Sequence, residues 1–115
     1  MIGVKHINNI KRKGDLAEYY AVTWLWDNGY EVFQNSGCTG PIDMIAMKNG
    51  NTTFVDVKTM TKDKHSPNYR GKISRTETQK QLGVKFLLFN PETRKLRWSR
   101  HGKKGRIPNE EKTIR

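Results

Sequence analysis

Asp43, Asp56 and Lys58 are the residues of this 115-residue chain whose types and spacing can do chemistry together. Asn49-Gly50 lies between two apolar runs, 42–47 and 52–58. Asn-Gly flanked in this way predicts a tight hairpin, because both central positions of a type I′ turn need positive φ. The turn fixes an antiparallel register in which residues whose numbers add to 99 face each other, so Asp43 lies opposite Asp56. Side-chain alternation then places Asp43, Ile45 and Met47 on one face with Phe54, Asp56 and Lys58, while Met44, Ala46, Val55 and Val57 point the other way.

Opposed residues in such a ladder have Cβ atoms roughly 4.5–5.5 Å apart, and like charges there are destabilising. Lys58 can relieve part of that repulsion. Two carboxylates at this separation also suit a hard divalent cation such as Mg²⁺, which often takes one or two carboxylates and keeps several waters. The competing account is a solvated hairpin face with Lys58 as a surface counter-charge. Glu18 has Ala21, Val22 and Leu25 at i+3, i+4 and i+7, so it runs along an apolar helix flank. It either snorkels to the rim of the domain or adds a third acid to the pair.

The elements that must position these residues are readable in outline. Residues 1–13 carry Lys5, Lys11, Arg12 and Lys13 with no acid and no apolar period, and read as a basic arm. Gly14 and Asp15 open a helix over 16–28, with Ala17, Tyr20, Ala21, Trp24 and Leu25 on its apolar side and Asn28-Gly29 as its stop. A short strand is expected over 30–34, then a Gly- and Ser-containing loop, then the two hairpin strands. The polar segment 59–72 reads as a long charged loop. Ser74 with Glu77 forms a capping box for a second helix over 75–82 that ends at Gly83. Strands follow over 84–89 and 95–99, and the tail from 100 is irregular. The order α-β-β-β-α-β-β predicts an α/β fold: one domain over 14–99 with a central mixed sheet flanked by helices, between a basic arm and a basic tail over 100–115.

Twenty-two Lys and Arg against eleven Asp and Glu give a net charge of +11, the footprint of a protein that meets a polyanion, above all nucleic acid. No basic amphipathic helix points to a membrane surface, and no run approaches the roughly 18 apolar residues of a membrane span. The lone Cys38 excludes an intramolecular disulfide and is a poor zinc ligand without neighbours. With no apolar leader, these features predict a cytoplasmic protein. His6, His65 and His101 are scattered and receive no role.

The stretch GPIDMIAMKNGNTTFVDVK resembles the signature of the PD-(D/E)XK nuclease superfamily: an acid, a hairpin turn, then acid-x-Lys. The upstream KGDLAEYYAVTWLWDNGYEVFQNSG is similar to the opening of archaeal-type Holliday junction resolvases, with Glu18 four residues after a Lys-Gly pair and a Ser36-Gly37 loop. Ile42 separates Pro41 from Asp43, and Asp56 stands where those resolvases carry Glu. The resemblance implies a restriction-endonuclease-like fold and a Mg²⁺-dependent DNA endonuclease, with Mn²⁺ as a substitute. Asp43, Asp56 and the Val57 carbonyl would bind metal. Lys58 would orient water or stabilise charge, and Glu18 would act through a second metal or a bound water. Gln79 matches a glutamine found in some branches of the superfamily. The implied substrate is branched DNA, cut by a homodimer. The alternatives are a nicking, repair or phage-type endonuclease of another branch, or a basic nucleic-acid-binding module without catalysis. Candidate DNA contacts are Lys11, Arg12, Lys13 and Ser36; Lys62, Lys64, Arg70 and Lys72 beside the site; and Arg97, Arg100, Lys103 and Lys104 in a stretch with seven basic residues and no acid. Trp98, between Arg97 and Arg100, can stack on DNA or belong to the core.

Overall fold

A computed structural model describes residues 9–37, 39–71 and 74–100. Helix α1 (Asn9–Asp27) leads into β1 (Glu31–Gln34), β2 (Met44–Lys48) and β3 (Asn51–Thr59). A small hairpin follows, β4 (Thr61–Lys62) with β5 (Tyr69–Arg70), then α2 (Glu77–Leu82), β6 (Lys85–Phe89) and β7 (Leu96–Trp98). The five-stranded sheet has the order β1-β2-β3-β6-β7, antiparallel throughout except for the central β3–β6 pair. It is the mixed sheet that the element order predicts.

The hairpin register is the one the turn dictates: Met44 pairs with Val55 and Lys48 with Asn51. Asn49 and Gly50 both have positive φ, 52° and 80°. The β3–β6 pairing is parallel because the chain crosses over between those strands through β4, β5 and α2.

One sheet face is covered by α1. Ala17, Ala21 and Leu25, spaced four apart on the helix, pack on Met44, Ala46, Val55, Val57, Leu87 and Phe89. The other face carries a smaller cluster of Met60, Phe86 and Leu88, with Tyr69 of the β4–β5 hairpin against it. At about 25 cal/mol per Å² of apolar surface, each of these large side chains contributes roughly 1.5–3 kcal/mol when buried.

Three local expectations are corrected. Helix α1 begins at Asn9, not beside Gly14, so Lys11, Arg12 and Lys13 are helical. Residues 11–16 are exposed, so no apolar period is needed there. The segment 59–72 is not a bare loop: Thr61 pairs with Arg70 and Lys62 with Tyr69. The capping box of α2 is Thr76 with Gln79, not Ser74 with Glu77. Both pairs satisfy the S/T-x-x-E/Q pattern, and the box used is the one that buries Gln79. Trp98 packs with Trp24 and Tyr30, ring centroids 6.2 and 6.5 Å away, and so belongs to the core. Gly83 ends α2 in the left-handed conformation, as expected. Among the described residues, no helix is long and apolar enough to cross a membrane.

Candidate active site

Strand β3 supplies Asp56 and Lys58, and the residue just before β2 supplies Asp43. Asp43 sits at a bend just outside the paired residues: its N–H donates at 2.8 Å to the carbonyl of Val55, the register partner of Met44, so it is not strand-paired with Asp56 as the turn predicts, and the two acids meet through their side chains instead. The Val57 N–H donates to Asp43 Oδ2 at 2.7 Å. Asp56 is 7% exposed, and its Oδ2 accepts from Gln79 Nε2 at 2.6 Å and lies 3.4 Å from Lys58 Nζ. The Lys58 ammonium also sits 5.5 Å from the centroid of the Phe86 ring, a cation–π contact that holds it over the face bearing the acids.

Helix α2 contributes Gln79, which is 5% exposed and fully engaged. Its Nε2 donates to Pro41 O at 3.0 Å as well as to Asp56, and its Oε1 accepts from the Thr76 N–H at 3.1 Å. The capping interaction that starts the helix thereby fixes the amide that spans from the loop before β2 to the acid on β3. The resemblance singled out Gln79 in the sequence, and the structure puts it against Asp56.

The electrostatics are those of two acids forced together. Burial pushes the Asp43 carboxyl up from an ordinary 3.8 to about 7, reinforced by the neighbouring Asp56 and, more weakly, Glu18, against the Val57 N–H that favours ionisation. Half-buried Glu18 is also raised, first by burial and then by the charges of Asp15 and Asp56. Among the described residues no three His, Cys, Asp or Glu side chains group closely enough to hold a metal. Asp43 and Asp56 therefore form a pair, with Glu18 outside it.

That pair suits a divalent cation by its donor chemistry. Asp43 Oδ2 accepts from the Val57 N–H, Asp56 Oδ2 faces Gln79 and Lys58, and the two carboxyls also hydrogen-bond to each other, so their oxygens converge at one point. Strand geometry puts the N–H and C=O of a residue on the same edge, so the Val57 carbonyl faces the gap across which its N–H reaches Asp43. Two carboxylate oxygens and a carbonyl are hard ligands of the kind Mg²⁺ takes alongside water and substrate phosphate. The group opens into a cleft of about 800 Å³ lined by Asp43, Asp56, Lys58, Arg75 and Gln79. Arg75 was missed by sequence reasoning; its only signal was a basic residue beside a capping box.

Of the candidate DNA contacts, Lys11, Arg12, Lys13, Ser36, Lys62, Lys64, Arg70, Arg97 and Arg100 are exposed. Arg70 is paired with Asp63 at 3.2 Å. Lys72, Lys103 and Lys104, like Cys38, lie outside the described residues.

The mixed sheet thus presents an acid pair and a lysine at one end of a hairpin, with a helix glutamine against them. The chain belongs to the PD-(D/E)XK endonuclease family, which matches residues 8–89, and its activity class is accordingly that of a phosphodiester hydrolase. Among solved structures it is similar to a bacterial homing endonuclease, I-Ssp6803I, at 19% identity and a TM-score of 0.66, over 79% of this chain and 68% of that one. That likeness establishes the restriction-endonuclease-like fold. No curated protein matches the chain.

Proposed function

We propose that this chain is a Mg²⁺-dependent endonuclease acting on linear duplex DNA. The observation that carries this is the side-chain contact of Asp43 with Asp56, with Lys58 at 3.4 Å and Gln79 at 2.6 Å from one oxygen of Asp56. Asp43, Asp56 and the Val57 carbonyl hold the cation, which supplies Lewis-acid polarisation of the scissile phosphate and lowers the pKa of water. Lys58 offers a fixed ammonium to the charge that grows on the phosphate, where preorganised electrostatics are worth most. Gln79 is the positioning residue that holds Asp56 and the loop before β2 in one geometry. Glu18, outside the pair, acts through ordered water or a second cation. The exposed basic residues supply backbone affinity.

Duplex DNA is preferred over a four-way junction for two reasons. The structural likeness is to a homing endonuclease, and the segment resembling junction resolvases forms α1 and β1, which cover and edge the sheet. One site cuts one strand, so a double-strand break calls for two copies of the chain.

Purified protein is tested with Mg²⁺ on linear duplexes and on four-way junctions, beside D56A and K58A. Cleavage of linear duplex that is lost in both variants is expected. Paired symmetric nicks confined to junctions would replace this proposal with resolution, and undiminished cutting by either variant would remove the site assignment. DNA binding without cleavage in any metal would leave a basic binding module.

A further inference from the structure

The cleft holds a second cation besides Lys58. Arg75 lines it from the segment that leads into α2. Its Nη1 donates to Val84 O at 3.0 Å, and the Val84 N–H in turn donates to Gln79 O at 2.9 Å. Val84 is fully buried, so the guanidinium is anchored to the same turn that carries Gln79. A guanidinium has five N–H donors, and this bond uses one. Arg75 takes part in neither the Lys58–Asp56 nor the Arg70–Asp63 ion pair, although two aspartates share its cleft.

Charge counting gives this cation a task. The two aspartates balance a divalent cation, and Lys58, beside Asp56, is then left to balance the phosphate being cut. A neighbouring phosphodiester in the cleft brings one further negative charge, and Arg75 is the lining cation left to meet it. Its planar donor fork matches two nonbridging phosphate oxygens.

We propose that Arg75 is a phosphate-binding residue that seats a DNA backbone phosphate in the cleft, next to the one being cut. The cut phosphate itself must lie within reach of Asp43, Asp56 and Lys58, which leaves Arg75 its neighbour. This rests on the DNA endonuclease function proposed above and adds the residue that sets the register of the backbone against the acids. The tether to Val84 holds the guanidinium in place before DNA arrives, which lowers the ordering cost of binding.

The test compares full-length wild type, R75Q and R75K by fluorescence anisotropy of a labelled linear duplex, without metal and with Ca²⁺, across a salt series, together with Mg²⁺ cleavage kinetics and thermal unfolding. R75Q should bind about tenfold more weakly, and its log K against log salt slope should be shallower by about 0.9, the value of one lost phosphate contact. Most of the loss in cleavage should fall on KM, as for an interaction made equally in ground and transition states. R75K should keep the wild-type slope and lose only part of the affinity. Wild-type affinity and slope in R75Q would overturn the proposal, as would a fall confined to kcat. Should R75Q fail to fold, R75K decides: a retained slope supports the phosphate contact, and a slope shallower by a full contact overturns it. If wild type cuts duplex while R75Q is unaffected, the Arg75 assignment alone fails. If wild type neither binds nor cuts DNA, the endonuclease function fails with it.

Discussion

Replacing Asp43 by Asn should make the metal-free protein more stable while ending cleavage. Asn keeps an acceptor for the Val57 N–H, now donated to Asp43 Oδ2 at 2.7 Å, and removes one of two neighbouring charges. The sign follows from the raised carboxyl. Below about pH 4 Asp43 is neutral folded and unfolded, and no penalty exists. As pH rises, the unfolded chain ionises first and the folded one resists until about 7, so wild-type stability falls across that window and is level above it. A rise from 3.8 to about 7 spans roughly three pH units, at about 1.4 kcal/mol each a ceiling of about 4 kcal/mol. Asp43 is partly exposed, and solvent screening reduces this to about 1–2 kcal/mol. D43N should therefore melt about 5 °C above wild type at pH 8 in EDTA and together with it at pH 4. Saturating Mg²⁺ should reverse the order at pH 8, because a ligand at about 100 times its Kd adds about 2.7 kcal/mol to the protein that binds it. Calorimetry of both proteins at the two pH values, with and without Mg²⁺, measures these differences. A D43N protein less stable than wild type at pH 8 in EDTA would refute the repulsion, and equal Mg²⁺ stabilisation of the two would refute the ligand role.

Two further outcomes concern the helix behind the acids. Q79A leaves Asp56 Oδ2 and Pro41 O without their amide donor and should cost about 1–3 kcal/mol in urea unfolding, while Q79E adds a third carboxylate and should be destabilised more at pH 8 than at pH 5; equal losses at both pH values would exclude charge as the cause. T76A removes the N-cap oxygen that accepts the Gln79 N–H and should cost about 0.5–2 kcal/mol, with single-turnover cleavage slowed through Gln79, an effect that should be absent when T76A is placed on a Q79A background.

The parts of this molecule governed by local chemistry were legible in the sequence. Asn49-Gly50 dictated the turn and the turn dictated the register as far as Met44 and Val55; the bend at Asp43, which brings its carboxyl to Asp56 outside that register, left no local sign. The four-residue spacing of Ala17, Ala21 and Leu25 marked the core face of α1, and Gly83 marked the end of α2. What escaped depended on contacts between distant segments. Two overlapping capping boxes were equally good locally, and only the burial of Gln79 against Asp56, 23 residues away, selects the second. The β4–β5 pair has two residues a side and leaves no periodic trace. The exposed first turns of α1 are helical without an apolar stripe, and Arg75 acquires meaning only once its cleft exists.

The parallel pairing of β3 with β6 divides assembly of the site into two steps of unequal entropic cost. Asp43 and Asp56 meet when a two-residue turn closes, whereas Gln79 reaches Asp56 only through the crossover that spans 60–84. With closure entropy growing by about 0.6 kcal/mol per doubling of loop length, the twelvefold longer connection costs roughly 2 kcal/mol more. The acid pair is thus the early and repulsive part of the chain, and the amide that organises it arrives late. A partly folded molecule can own the ligands and lack their alignment, so cleavage, unlike metal binding, reports that the long-range half of the sheet has closed.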